Sequence, residues 1–293
     1  MMKRTISEIE WLEKWYQSQC DGAWEHEFCI RGGTLDNPGW WLEVDLQHTG
    51  HDGLSVPRKL VERSEHDWID FKIEEGRFYG YGGPRNLGDI IEVFAALVEG
   101  RPLPWAWVEG QGSEENPSRE VLSPGAGPEG ALQVPAASAV GIASSAPAIG
   151  PTLRTGKEGS DRASQPSAEG AARGNQASST GEDSKTYMMK RMISGIDWLE
   201  KWYHSHCDGD WEHDFRVRLG SLDNPGWRLK VNLEYTAHDG LTVPGNLVER
   251  SEHDWIRYKV ERSVFYGEGG PGNLRDLIEV FAALMEGRPI PWA

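Results

Sequence analysis

Residues 1–106 of this 293-residue chain recur as residues 188–293, at a constant offset of 187 and without a gap. Of the 106 paired positions 74 are identical, from Met1-Met2-Lys3-Arg4, returning as Met188-Met189-Lys190-Arg191, to Pro104-Trp105-Ala106, returning as Pro291-Trp292-Ala293. A repeat with so defined a start and end is one folding unit present twice, so function has to be sought in a unit of about 100 residues. The start-like Met-Met in mid-chain suggests a duplicated and fused reading frame. Between the copies, 44 of the 81 residues from 107 to 187 are Gly, Pro, Ala or Ser. Such a stretch buries too little apolar surface to offset its ordering entropy, and it reads as a disordered linker. Its root-mean-square span would be about 50 Å, so two tethered domains acting independently on a monomeric chain are expected.

Within a unit, Ile6, Ile9, Leu12, Trp15 and Tyr16 fall at helical spacing, with Ser7 placed as a cap and Cys20-Asp21-Gly22 as the stop. From Trp24 to Ile30 the alternation of Trp24, His26, Phe28 and Ile30 with charged residues predicts a strand whose first face is buried. Asp36-Asn37-Pro38-Gly39 reads as a turn of type II geometry with Gly39 at positive φ. It leads into a strand burying Trp40, Leu42, Val44 and Leu46. Further strands are expected at Trp68–Glu74 and around Phe78–Tyr81, and Asn86 is placed to cap a last helix carrying Leu87, Ile90, Ile91, Phe94 and Leu97. Each repeat is therefore an α+β domain: a helix, an antiparallel sheet of about four strands with helices on one face, and a closing helix.

Thirty basic residues against 46 acidic ones give a net charge of −16. Repeat 1 holds 11 and 19 of these, repeat 2 holds 13 and 17, and the linker 6 and 10. Without a Lys/Arg cluster in either copy, nucleic-acid binding is disfavoured. An acidic balance serves solubility or steers a basic partner, and charge alone does not choose between these. Three cysteines, one of them (Cys29) replaced by Arg216 in the other copy, make no disulfide framework. No membrane-length apolar run is present, and Glu8, Glu10 and Glu13 interrupt any signal-like opening, so a cytoplasmic setting is expected.

Each candidate for chemistry has a plainer alternative. His26 beside Glu25, with His213 beside Glu212, fits a general base or metal ligand, and equally a satisfied core histidine. His48, His51 and Asp52 have metal-pair spacing, but His48 is Tyr235 in the other copy. Ser64-Glu65-His66-Asp67 holds the residue types of a hydrolase triad, yet neighbours in an extended segment point to opposite sides. Cys20 and Cys207 follow a helix with no base nearby in sequence, and Gly80, Gly82 and Gly83 lack the rest of a phosphate loop. No metal or cofactor is expected.

Fourteen tryptophans imply mostly core positions, but strand parity sets Trp68 and Trp255 on the polar side. An aromatic rimmed by charge is a common interface anchor. The expected partner-binding set is Glu25, Glu27, Glu65, Asp67 and Trp68, with Glu212, Asp214, Glu252, Asp254 and Trp255 as its second copy. This acidic-aromatic surface suits a basic protein.

The ordered run Trp11-Leu12-x-x-Trp15-Tyr16, Cys20-Asp21-Gly22-x-Trp24-Glu25-His26, Thr34-Leu35-Asp36-Asn37-Pro38-Gly39-Trp40, Asp67-Trp68 and Gly82-x-Pro84-x-Asn86-Leu87 resembles the bacterial immunity protein 53 family. The second copy keeps the pattern, with Ser221 where the first has Thr34. The resemblance implies a non-enzymatic cytoplasmic antidote that binds and blocks a cognate polymorphic toxin. It brings no established binding residues. A basic nuclease is one candidate for that toxin, since an acidic inhibitor gains association rate from complementary fields. Two alternatives stay open: a small hydrolase or metal enzyme centred on His26 and His213, and a bivalent adaptor holding two copies of one ligand.

Overall fold

The computed structural model describes residues 6–103 and 195–290, so the linker at 107–187 lies outside the described residues. Repeat 1 runs α1 (Glu8–Gln19), a helical turn α2 (Trp24–Glu27), β1 (Ile30–Thr34), β2 (Trp40–Asp45), β3 (Val56–Ser64), β4 (Asp67–Glu74), β5 (Arg77–Gly82) and α3 (Leu87–Val98). Repeat 2 repeats this order as α4 (Gly195–His204), α5 (Trp211–Asp214), β6 (Val217–Leu222), β7 (Gly226–Asn232), β8 (Val243–Ser251), β9 (Asp254–Glu261), β10 (Val264–Gly269) and α6 (Leu274–Met285). Each repeat thus has an N-terminal helix, antiparallel strands and a C-terminal helix. The strands number five, not about four, because β3 was not expected.

The alternation read in β2 holds: Trp40, Leu42, Val44 and Leu46 are fully buried under the helices. Ile69, Phe71 and Ile73 of β4 and Phe78 of β5 extend the same face. Ser7 caps α1 by accepting the Glu10 N–H at 3.3 Å. Two local expectations fail. The alternation from Trp24 to Ile30 is not one strand: Trp24–Glu27 is a helical turn, which leaves His26 and His213 exposed rather than buried. The turn before β2 does join β1 to β2, with Leu35 N–H donating to Gly39 O at 2.9 Å, but Gly39 is not at positive φ. Glycine is needed there for closeness, since a Cβ at Gly39 would lie 2.4 Å from Gly82 O, and one at Gly226 equally close to Gly269 O.

The largest departure from expectation concerns the two repeats together. They are not independent bodies on a tether, because all ten strands form one sheet in the order β3-β4-β5-β2-β1-β6-β7-β10-β9-β8. Antiparallel pairing of β1 with β6, with Arg31 opposite Gly220 and Gly33 opposite Arg218, closes the edge that each repeat would otherwise expose. Hydroxyls reinforce the seam reciprocally: Ile30 N–H donates to Ser221 Oγ at 2.9 Å, and Val217 N–H donates to Thr34 Oγ1 at 3.1 Å.

Above the seam, each first helix reaches into the other repeat. Fully buried Tyr16 packs on Trp227 with ring centroids 4.9 Å apart. Its hydroxyl donates to Leu222 O and accepts the Gly226 N–H. Tyr203 does the same in return, packing on Trp40 at 5.0 Å, accepting the Gly39 N–H and donating to Leu35 O. One side chain therefore satisfies both a buried donor and a carbonyl at the turn that starts the partner repeat's core strand.

Tyr16→Phe or Tyr203→Phe leaves that buried N–H unpaired, and each is expected to lower stability by about 1–3 kcal/mol. Because the repeats share a sheet and a core, urea unfolding followed by tryptophan fluorescence and far-ultraviolet circular dichroism should show one coincident transition that either substitution shifts as a whole. Two separable transitions, with only one shifted by each variant, would contradict the shared core.

Candidate functional site

On the outer side of the seam, the turn between β3 and β4 is clamped to the start of α3. Asn86 stands at the N-cap of α3 as its sequence position predicts, but its side chain makes no capping bond. Instead its Oδ1 accepts the Trp68 N–H at 3.3 Å and the Gly83 N–H at 3.1 Å, while Nδ2 donates to Asp67 and Asp89, both at 2.9 Å. Arg63 bridges the same two carboxylates. Repeat 2 reproduces the clamp with Asn273, Arg250, Asp254 and Asp276. The Arg250 hydrogen bond holds Asp254 below the ordinary carboxylate range. Asp67 and Asp254 are thus structural anchors of the turn, and Glu65, His66, Glu252 and His253 stand exposed beside them. A Ser-His-Asp triad is not assembled in either copy.

The capping group for α3 comes from the other repeat. Glu200, on α4, accepts the Gly88 N–H at 2.9 Å, and Glu13, on α1, accepts the Arg275 N–H of α6 at 2.8 Å. Both glutamates are nearly buried, at 5% and 6% exposure. A carboxylate at a helix N-terminus is favoured by the dipole, yet burial dominates here and pushes Glu13 up to about 8 and Glu200 up to about 7. Each glutamate also has one cation nearby, supplied differently. Arg85 lies against Glu200 and pairs with Asp197 at 2.7 Å. Its counterpart is Gly272, and the cation near Glu13 is Arg275, whose counterpart is Gly88. The positive charge has moved three residues along the chain while the electrostatic task is kept.

Where Gly272 takes the place of Arg85, a groove of about 810 Å³ opens across the two repeats. Gln17, Cys20 and Glu25 line it from repeat 1, and Arg250, His253 and Asp254 from repeat 2. The pseudo-two-fold therefore brings Glu25 to Asp254 of the other copy. Within a repeat, the register sets Ile30, just after α2, and Asp67 towards opposite ends of the sheet.

Several expected site residues need correction. Glu25 and Glu212 are not an exposed acidic edge: they are 5% and 2% exposed, and each carboxylate accepts two backbone N–H groups of the preceding turn. Glu27 and Asp214 are exposed, while Trp68 and Trp255 are half-buried. His48 packs on Phe28, as Tyr235 packs on Phe215, both with centroids 5.3 Å apart, so that position holds an aromatic lid. Burial pushes the Cys20 thiol up to about 11 and Cys207 up to about 12, which disfavours a thiolate. Sequence reasoning missed Glu13 and Tyr16. The available signal was Glu13 itself, a charge on the Ile9-Leu12-Tyr16 stripe and kept as Glu200 in the second copy.

The raised glutamates give stability a definite pH dependence. A carboxyl with a folded pKa above its unfolded value keeps its proton longer in the native state, so its contribution is complete below about 4.5 and lost as pH rises towards 8. Unfolding free energy should accordingly fall between about pH 5 and 8, and Glu13→Gln should flatten the upper part of that decline. A urea midpoint series against pH checks this; a profile unchanged by Glu13→Gln would refute the assignment.

The family model described as Immunity protein 53 matches residues 9–99 and again residues 196–286. No curated protein and no solved structure matches the chain. Both matched segments run from the first helix to the last of a repeat, and together they make up more than half of the sequence. The chain belongs to the immunity protein 53 family, with two copies of the family domain built into one sheet.

Proposed function

We propose that this protein neutralises a cognate toxin of a polymorphic toxin system by occupying the toxin's working surface. The observation that carries this reading is the family match across both repeats. Antidote action needs surface complementarity and no catalytic group. The contact set, after the buried glutamates are removed, is Glu27, Glu65, Asp67 and Trp68 with Asp214, Glu252, Asp254 and Trp255. A partly buried tryptophan supplies the anchor, and the surrounding carboxylates favour a basic toxin such as a nuclease. The protein would act in the cytoplasm of a bacterium, as a monomer, with nucleic acid and membrane excluded from its partners.

Sheet order gives the bivalent-adaptor reading a specific form. The strands bearing Trp68 and Trp255, β4 and β9, are each second from an edge of the sheet. Seven strand intervals at about 4.8 Å separate them by roughly 34 Å along a flat sheet. Two bound partners would then be held at a fixed spacing instead of on a loose tether, and calorimetric stoichiometry of one or two toxins per chain decides between simple inhibition and bivalency.

Co-expression with a toxin gene from the same locus tests the main reading. The full chain should restore growth, and Trp68→Ala with Trp255→Ala should weaken toxin binding at least tenfold without lowering the unfolding free energy by more than about 1 kcal/mol. Full protection by the double variant would remove the tryptophans from the interface. Failure of the intact chain to protect against any toxin of its locus would remove the antidote reading.

A further inference from the structure

The sheet face opposite the helices differs in charge between the repeats. In repeat 2 the register sets Arg218, Lys230, Tyr266 and Lys259 side by side across β6, β7, β10 and β9. The neighbouring row carries Gly220, Arg228, Glu268 and Arg257. All five cations point away from the core residues Leu229, Val231, Ile256 and Val260. Glu268 receives both Arg228 and Arg257, and Glu261 receives Lys259. Among the described residues no carboxylate pairs with Arg218 or Lys230. A chain of net charge −16 therefore concentrates five cations against two anions on one four-strand face.

Repeat 1 is the internal control. Arg228, Lys230, Asn232 and Arg257 stand where it has Trp41, Glu43, Asp45 and Asp70. These four changes raise the charge of repeat 2 by six, and the remaining substitutions take back two, which leaves the four-unit difference between the repeats. Solubility does not account for that, since cations bring an acidic chain nearer to neutrality.

We propose that this face of repeat 2 is a docking surface for a carboxylate-bearing surface of a partner protein, bordered on β9 by Trp255 of the acidic-aromatic contact set. Charge complementarity selects the occupant. A nucleic acid fits less well for two reasons. The four strands span only about 14 Å, and a longer polyanion would run onto Glu43 and Asp70 of repeat 1. Tyr266, the aromatic set among these cations, has Lys230 and Lys259 within 5.3 and 5.5 Å of its ring centroid, so its π-face is already engaged by cations.

The test uses the full chain and a fluorescein-labelled octaglutamate peptide, read by anisotropy at low salt. Binding is expected, weakened by added salt and at least tenfold weaker in Lys230→Glu/Arg257→Asp, substitutions that install the residues repeat 1 carries at the same strand positions. No binding, or equal binding by the variant, overturns the proposal. So does tighter binding of a 12-nucleotide single-stranded DNA, which would make the face a nucleic-acid surface. Zero-length carbodiimide cross-links from Lys230 or Lys259 to carboxylates of residues 107–187 would also overturn it, by naming the chain's own segment as occupant. Toxin protection is not read in this assay, so the two readings stand or fall separately.

Discussion

The architecture depends on the edge of β1. Alone, a repeat would end its sheet on this strand with unpaired backbone groups, beside a first helix whose tyrosine hydroxyl and glutamate carboxylate hydrogen-bond to backbone N–H groups of the other repeat. Pairing β1 with β6 satisfies all of them at once. The strand finds a ladder, each tyrosine hydroxyl finds a turn, and each glutamate finds a helix N-terminus. Because every one of these contacts is made twice, in opposite senses, the junction is self-complementary in the manner of an isologous dimer interface enclosed within one chain.

That constraint explains where the copies were free to diverge. Glu13, Tyr16, Leu35 and Gly39 are unchanged at the junction, and Thr34 becomes Ser221 with its hydroxyl kept. Each buried glutamate keeps a cation beside it, Arg85 at Glu200 and Arg275 at Glu13, although the two arginines stand three residues apart in the repeat. The face opposite the helices carries no such mutual obligations, and charge changes collected there. Two copies of one domain have become a single body with two unlike surfaces, which an antidote can use for more than one contact.

Much of the single repeat was legible in the sequence, because period alone reveals a half-buried element. The helical stripe Ile9-Leu12-Trp15-Tyr16 and the alternation Trp40-Leu42-Val44-Leu46 mark their elements correctly. Strand β3 was not legible: it is a largely exposed strand at the sheet edge, with Pro57 near its start and no buried face to impose alternation. The Trp24–Ile30 pattern misled because a helical turn followed by a strand mimics period two over a few residues. The junction was hidden for another reason. A long Gly-rich connection suggests independence, but covalent connection also raises the effective concentration of one repeat near the other and so favours any complementary seam. Glu25 looked like surface in a list of charges, and only the fold shows its carboxylate consumed by the Asp21 and Gly22 N–H groups.

Amide hydrogen exchange at Ile30 and Val217 tests the joined sheet most directly, since these two N–H groups donate to hydroxyls of the opposite repeat. If the repeats form one sheet, both amides exchange as slowly as the core strands β2 and β7, with an opening free energy near that of global unfolding. If the repeats are independent, β1 and β6 are free edges, and both amides exchange at rates close to those of exposed loops.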